Sequence, residues 1–393
     1  LKPFPSKQML QAASPHSIAR WVRTASSGRG VANQWYTQDD LHAKQLRPLF
    51  HDTWCSVGFE HDVPNVGDVW PSTSAGVPLI LARGKEGLKV FHNVCSHRGV
   101  QLVRKPQSGR PVIRCPYHSW SYKVDNGALV ATPHAGGMNN HKCPHMDKST
   151  LGLREVRSVT WMGTVFANIS GDAEPFSQYV APLAARWEPF MGQQLYAARE
   201  DRAFLDIKTN WKLAVENYCE SYHLPWVHPD LNKYSKISDH YDIIEAGRFS
   251  GQGTTKYDTT VVGAKSFPAL SDLPAAWQMQ AEYVALYPNT LLGAHKDHWL
   301  AIILSPASPS RTIEDLALFY FDKEVLSEDY QSARKKNLEM WRQVFAEDIE
   351  NVESMQLGRH SPAFNGGFFT PAMCSANLAF HDWVNLRLQA AST

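Results

Sequence analysis

The chain has 393 residues, a formal net charge of +1 and 43% hydrophobic residues, which is length for two domains and a sizeable core. Its Lys and Arg residues are scattered, with nothing longer than pairs such as Lys335 Lys336, so no nucleic-acid or membrane-surface partner is expected. No apolar run approaches the roughly 20 residues of a bilayer span, and the first thirty residues lack the charged start, apolar core and cleavage site of a leader, so the expected location is cytoplasmic. Six cysteines without a disulfide-like pattern read as buried thiols or metal ligands, and 17 histidines offer the commonest metal ligand.

Residues 1–47 form a mixed polar segment with a loop at Ser26 Ser27 Gly28 Arg29 Gly30. A helix is predicted from Gln38 or Asp39 to about Phe50, with Thr37 as its N-cap. From Trp54 the pattern turns to short β-like runs, Val77–Leu81, Leu88–Val94, Val112–Arg114, Leu129–Ala131 and Val159–Ile169, separated by Gly, Pro and Asn turns. Pro78 demotes the first run to an edge strand at best. Residues 48–168 therefore read as a small β-domain.

Within it lie Cys95 Ser96 His97 Arg98 Gly99 and Cys115 Pro116 Tyr117 His118 Ser119 Trp120, with seventeen residues between His97 and Cys115. Each loop offers one thiolate and one imidazole to a shared centre. A closed Cys2His2 zinc site usually pairs ligands by type. The mixed pairs suit a two-iron cluster in which one iron takes both cysteines and the other both histidines. These two loops resemble the CxHRG and CPYHGW motif of the Rieske non-haem iron oxygenases, with Ser119 in place of the usual Gly.

His134, His141, Cys143 and His145 form a second cluster, read as a solvated loop in preference to a metal site. Residues 172–200 read as a helix-rich connection, Ala203–Lys208 as a strand. The stretch from Asn210 to His228 then packs two imidazoles and two carboxylates into thirteen residues, Glu216 to His228. On one helix Glu216, Glu220 and His223 would share a face, and Pro225 would break the helix near 223–226 and let His228 turn back toward His223. Glu216 is either a second group behind a metal or an ordinary helix carboxylate. Residues 230–290 read as loop-rich, with Gly247, Gly251, Gly253 and Gly263. Val284–Tyr287, Leu300–Leu304 and Leu316–Phe321 read as strands, and Tyr287 Pro288 Asn289 Thr290 resembles a turn of the family's catalytic domain.

The final long helix is predicted from Ser327 to Leu357, with an apolar stripe of Leu338, Trp341, Phe345, Ile349, Val352 and Met355. Asp348 lies within that stripe, whereas Glu347, Glu350 and Glu353 fall to the side. A carboxylate on a buried face needs a cation or a metal: either Arg342 or Lys336 pairs with it, or it joins His223 and His228 as the third iron ligand.

The resemblance implies an α+β chain, an N-terminal Rieske β-domain followed by a helix-grip catalytic domain (antiparallel sheet with long helices) over 169–393, on which segment 1–47 packs. It implies that Cys95, His97, Cys115 and His118 hold a [2Fe-2S] cluster, and that His223, His228 and Asp348 hold a mononuclear Fe(II). Glu220 would bridge His223 to His118 of a neighbouring subunit in a homotrimer. A Glu at that position resembles the carnitine and glycine-betaine oxygenases, which points to monooxygenation and N- or O-demethylation of a small substrate with O2. With no GxGxxG or flavin signature, NAD(P)H electrons must come from a separate reductase. Two alternatives are an aromatic ring-hydroxylating dioxygenase α subunit and a non-enzymatic Rieske electron carrier. Tyr222 and Trp226 are the aromatic residues expected nearest the iron.

Overall fold

Residues 54–173 and 174–393 fold as separate units, the second also taking in the described residues before 54. The structure, a computed structural model, describes residues 30–257, 266–370 and 372–391. Apart from Gly30, the loop predicted at 26–30 lies outside the described residues, as does Gly263.

The first unit is a six-stranded antiparallel sheet in the order β1-β9-β8-β4-β3-β2, with a three-stranded sheet β5-β6-β7 beside it in sequence. The strands are β1 Cys55–Phe59, β2 Val69–Ser74, β3 Val77–Gly84, β4 Gly87–His92, β5 Val112–Arg114, β6 Ser121–Lys123, β7 Leu129–Ala131, β8 Glu155–Trp161 and β9 Thr164–Asn168. Alternation along β3 explains its place: Leu79 and Leu81 pack with Val57, Val90 and Val165, while Ile80 and Ala82 pack with Phe91, Cys95 and Cys115. A strand buried on both faces is interior, so the edge position expected from Pro78 is wrong. Pro78 faces Thr73 at the start of the β2–β3 hairpin, before pairing with β4 begins at Leu79, and there its missing N–H interrupts little. The run 159–169, expected as one strand, belongs to a hairpin that turns at Met162 and Gly163, both with positive φ.

The second unit is built on a seven-stranded antiparallel sheet, order β10-β16-β15-β14-β13-β12-β11. Its strands are β10 Arg202–Ile207, β11 His240–Glu245, β12 Phe249–Thr254, β13 Ala281–Leu286, β14 Thr290–Ala294, β15 His298–Ser308 and β16 Arg311–Tyr320. The helices are α1 Gln34–Thr37, α2 Asp39–Leu46, α3 Phe176–Arg186, α4 Trp211–Tyr218, α5 Leu224–Val227, α6 Glu328–Gly358 and α7 Ser375–Ala390. Helix α6 packs on α4 and β10, and α7 on β11 and β12. This is the helix-grip arrangement.

Two sequence expectations fail here for physical reasons. Residues 240–254, expected as loop, hold the two strands β11 and β12, and β13 begins at Ala281, three residues before the strand expected at Val284–Tyr287. Gly251 and Gly253 are strand residues at close approaches: a Cβ on Gly251 would stand 2.0 Å from the Tyr283 carbonyl oxygen, and one on Gly253 2.4 Å from the Tyr241 ring. Helix α2 ends in a wider π turn over 47–51, and its N-cap is Gln38, because the Thr37 hydroxyl is spent on the Asn33 carbonyl at 3.2 Å.

Candidate metal centres

The two Cys/His loops are built alike. In the first, the Cys95 N–H donates to the Val100 carbonyl and the Gly99 N–H to the Cys95 carbonyl; in the second, Cys115 donates to Trp120 and Ser119 to Cys115. Both loops need a left-handed residue four positions after the cysteine: Gly99 has φ +72° and Ser119 φ +59°. Ser119 therefore adopts the glycine conformation and keeps the loop shape. Cys95 and Cys115 are buried, His97 is exposed and His118 half-buried. The two imidazoles meet edge to face with centroids 4.8 Å apart, and His97 stacks on Trp120 at 4.7 Å.

The Tyr122 hydroxyl lies 3.2 Å from Cys95 Sγ and 2.9 Å from Ser96 Oγ, while the Ser96 N–H donates to it at 3.1 Å. Burial, reinforced by Cys95, pushes that hydroxyl up to about 12, so it stays protonated and can donate to the sulfur. Sequence reasoning did not single out Tyr122. His118 Nδ1 is buried with no hydrogen-bond partner. A donor set of two buried thiols and two imidazoles, one with an orphaned nitrogen, fits a [2Fe-2S] cluster.

In the second unit His223, His228 and Asp348 offer ligand atoms that all lie within 4.8 Å of one another. Helix α4 starts at the Asn210 cap, whose side chain accepts from the Lys212 N–H at 3.2 Å, and ends at Tyr218, earlier than the Pro225 break expected. Pro225 instead occupies the first turn of α5, where its missing N–H is harmless. Helix α5 carries the chain from His223 to His228, and the two rings end 5.2 Å apart.

Because α4 stops at Tyr218, Glu216, Glu220 and His223 do not share a helix face. Glu220 turns back onto the loop: Oε1 lies 2.6 Å from His223 Nδ1, and Oε2 accepts from the Tyr222 and His223 N–H groups. Glu216 points away, accepting from the Tyr36 hydroxyl at 2.6 Å with Arg359 at 3.2 Å and His381 at 3.3 Å. Burial opposes its charge, but His381 and Arg359 outweigh burial and hold its carboxyl at about 2. It is a buried structural anion. Beside it, the buried Lys212 side-chain nitrogen donates to the Trp35 carbonyl at 3.0 Å and to Gln45 Oε1 at 2.9 Å, tying α4 to the N-terminal segment.

Asp348 arrives from α6, on the buried line Trp341, Asp348, Val352, Gln356; Met355, placed in the stripe by periodicity, is 40% exposed. Oδ1 of Asp348 is 3.1 Å from His228 Nε2 and 3.6 Å from His223 Nε2. Arg342 pairs with Glu339 instead. Glu347, expected to fall aside, reaches His228: its Oε2 lies 2.7 Å from Nδ1. That contact depends on where α6 docks, and only its adjacency to Asp348 hinted at it. Each imidazole thus gives Nδ1 to a carboxylate and aims Nε2 inward, as in metal-bound carboxylate–histidine pairs.

Asp348 Oδ1 is buried and faces only the two Nε2 atoms, with no other hydrogen-bond partner. Burial works against a charge on His228, yet Asp348 and Glu347 outweigh it and raise its proton affinity. The same field favours a cation, so the three residues fit a divalent iron. Behind Asp348, burial and then the Asp348 charge push the Glu314 carboxyl up to about 8. In front lies a cavity of about 50 Å³. Tyr222 and Trp226 do not line it; they are 44% and 70% exposed. His134 and His141 spend their Nδ1 atoms on backbone N–H groups of Asn139 and His134, and among the described residues His223, His228 and Asp348 are the only three whose ligand atoms come close enough together to hold a single ion.

Residues 53–144 match the family described as Rieske [2Fe-2S] domain, and residues 195–390 the one described as ring hydroxylating alpha subunit (catalytic domain). The chain belongs to the Rieske non-haem iron oxygenases. Within that class it is the terminal oxygenase component, an oxidoreductase whose cofactors are a [2Fe-2S] cluster and a mononuclear iron and whose electrons come from a separate reductase. The chain is 26% identical to the carnitine monooxygenase oxygenase subunit of Escherichia coli (strain K12), over 86% of each. It is 31% identical to the 2-aminobenzenesulfonate 2,3-dioxygenase subunit alpha of Alcaligenes sp, over 51% of this chain and 50% of that one. Among solved structures, a quaternary ammonium Rieske monooxygenase with a bound inhibitor superposes with a TM-score of 0.75 at 21% identity, covering 93% of this chain and 97% of the other. Among the described residues no helix is long and apolar enough to cross a membrane.

Proposed function

We propose that the chain uses O2 to hydroxylate a C–H bond next to the nitrogen of a quaternary ammonium compound. The observation that carries the reading is the convergence of His223 and His228 Nε2 on Asp348, with each Nδ1 held by its own carboxylate. The substrate class rests on the carnitine monooxygenase relative and on Glu220 in the leading acidic position. Cys95, Cys115, His97 and His118, within residues 48–168, would hold the cluster, and His223, His228 and Asp348, within 169–393, the iron.

When bound, the cluster supplies single electrons and the iron activates oxygen at its open positions. The protein's own part is orientation and exclusion of water. Glu220 and Glu347 fix the imidazole planes, and Tyr218, Phe345 and Trp341 line the cavity with apolar surface. In balance, substrate, O2, two electrons and two protons give a hydroxylated substrate and water; the N–CH2OH group then breaks at its C–N bond to a tertiary amine, formaldehyde and a proton.

Glu220 is our candidate for the link to His118 of the next subunit of a homotrimer, because it already holds His223 by Nδ1, the ring nitrogen that does not face Asp348. Dependence on an NAD(P)H-fed reductase, with six free cysteines, supports a cytoplasmic location.

Coupled oxygen uptake with carnitine, glycine betaine, methoxyaromatics and aromatic acids, using enzyme with about three iron atoms per chain, tests the class. Uptake and aldehyde release with the ammonium compounds are expected. Uptake with aromatic acids alone would transfer the chain to the ring-hydroxylating alternative, which the Alcaligenes relative supports over half the chain. Glu220→Gln is expected to keep both metal centres and lose product about 10- to 100-fold relative to NADH consumed; unchanged coupling would remove the link.

A further inference from the structure

The cavity beside His223, His228 and Asp348 has a wall that the metal ligands do not require. Four rings close on one another around it: Tyr218 to Tyr283 at 6.2 Å between centroids, Tyr283 to Trp341 at 6.0 Å, Trp341 to Phe345 at 5.9 Å and Phe345 back to Tyr218 at 6.3 Å. They come from three elements, α4, β13 and α6, and all four line the cavity.

Two of them spend their polar atoms outside it. The Tyr218 hydroxyl donates to the Leu292 carbonyl at 3.0 Å. The Trp341 Nε1–H donates to His298 Nε2 at 3.1 Å, and His298 Nδ1 is held by Asp297 Oδ1 at 2.7 Å. The chain Asp297–His298–Trp341 fixes the indole in one orientation and draws its N–H proton outward, which enriches the π face.

Beside Tyr283, its register partner across the β12–β13 pair, the cavity carries an amide. Gln252 is 8% exposed and lines the cavity. Its Oε1 is bound to His240 Nδ1, and His240 Nε2 to Ser235 Oγ at 2.9 Å, so the orientation of the amide is set. The amide nitrogen of Gln252 has no hydrogen-bond partner among the described residues. Among those residues no Lys or Arg lines the cavity either.

We propose that the wall of Tyr218, Tyr283, Trp341 and Phe345 seats a trimethylammonium head, and that Gln252 holds an oxygen of the substrate's tail. The proposal rests on the quaternary ammonium reading above and names the residues that select for it. A quaternary nitrogen has no N–H to donate, so hydrogen-bond acceptors recognise it poorly. Aromatic faces attract its spread charge while keeping water away. Glu220, on the same cavity, adds attraction for a cation and repels an anionic head. A single oxygen on the tail meets a neutral donor instead of a salt bridge.

The test uses the fully iron-loaded enzyme without O2, and two ligands of one shape: glycine betaine and its carbon isostere 3,3-dimethylbutanoate, which lacks the positive charge. Titration calorimetry is expected to show wild type preferring betaine about tenfold, within the range of a desolvated cation–π contact. Trp341→Leu and Tyr283→Leu bring that preference near unity with the Rieske spectrum and iron content unchanged, whereas Tyr283→Phe keeps it. Gln252→Leu weakens both ligands together, about tenfold, since both carry the same carboxylate. If Trp341→Leu loses iron, Trp341→Phe reads the same preference with a smaller aromatic face and lowers it partway. Turnover of ammonium compounds by a wild type without preference for the cation, or by leucine variants that keep the preference, overturns the wall and leaves the substrate class standing. Failure of wild type to bind betaine or carnitine, with no coupled oxygen uptake from either, overturns the substrate class and the wall with it.

Discussion

The two candidate centres are built on opposite plans. In the cluster loops the thiols are inside and the imidazoles outside, each loop closed by its own backbone hydrogen bonds within six residues. At the second centre His228, with side-chain exposure of 2%, is held by Glu347 from α6, and His223 by Glu220 three residues earlier. A centre that passes electrons needs an edge that another molecule can reach. One that activates oxygen needs rigid ligands and little water. The exposed His97 and the pinned His228 meet these two demands with the same side chain.

That contrast can be broken most forcefully at His223. His223→Ala is expected to abolish oxygenation and remove one iron in three while the visible Rieske absorption stays; loss of both signals would mean that the two centres do not stand independently. Next in size is the anion beneath α4. Glu216→Gln leaves Arg359 buried beside a neutral partner, and is expected to lower unfolding stability by about 3–5 kcal/mol with iron retained.

The sign of its pH dependence follows from the same contacts. The folded carboxyl is held at about 2, below its unfolded value, so its stabilisation is complete above the unfolded value, about 4.3, and is lost as pH falls toward 2. Wild-type melting temperature is therefore expected to drop more steeply than that of Glu216→Gln between pH 5 and pH 3. Smallest is Glu347→Gln, expected to weaken iron binding about 10- to 100-fold in a chelator competition without moving the cluster spectrum.

The same division decides what could be read from the residues alone. Cys95, His97, Cys115 and His118 stand out because short loops fix their own geometry, down to the left-handed position shared by Gly99 and Ser119. Asp348 is legible because a carboxylate on the apolar line of a long helix violates periodicity. Glu347 is not, since its contact with His228 exists only after α6 has docked. The helix through Glu216, Glu220 and His223 fails because nothing local announces the stop at Tyr218; a buried cation cluster takes Glu216 one way and a backbone turn takes Glu220 the other. Strands β11 and β12 were hidden by Gly251 and Gly253, whose missing side chains serve the neighbouring Tyr283 carbonyl and Tyr241 ring. Pro78 misled in the opposite sense, because one interruption at a strand's start is small beside burial of both its faces.

The knot around Glu216 also sets an order of events in synthesis. It gathers Tyr36, Glu216, Arg359 and His381, and the Val31 N–H donates to His381 across 350 residues. Contacts of such span form late, after every intervening residue has left the ribosome. The unit of residues 54–173 has all its strands long before that moment. The other unit, which takes in Val31 on one side of it and α7 on the other, waits for α7, so segments that flank residues 54–173 on both sides must be present before α4 has a floor to rest on.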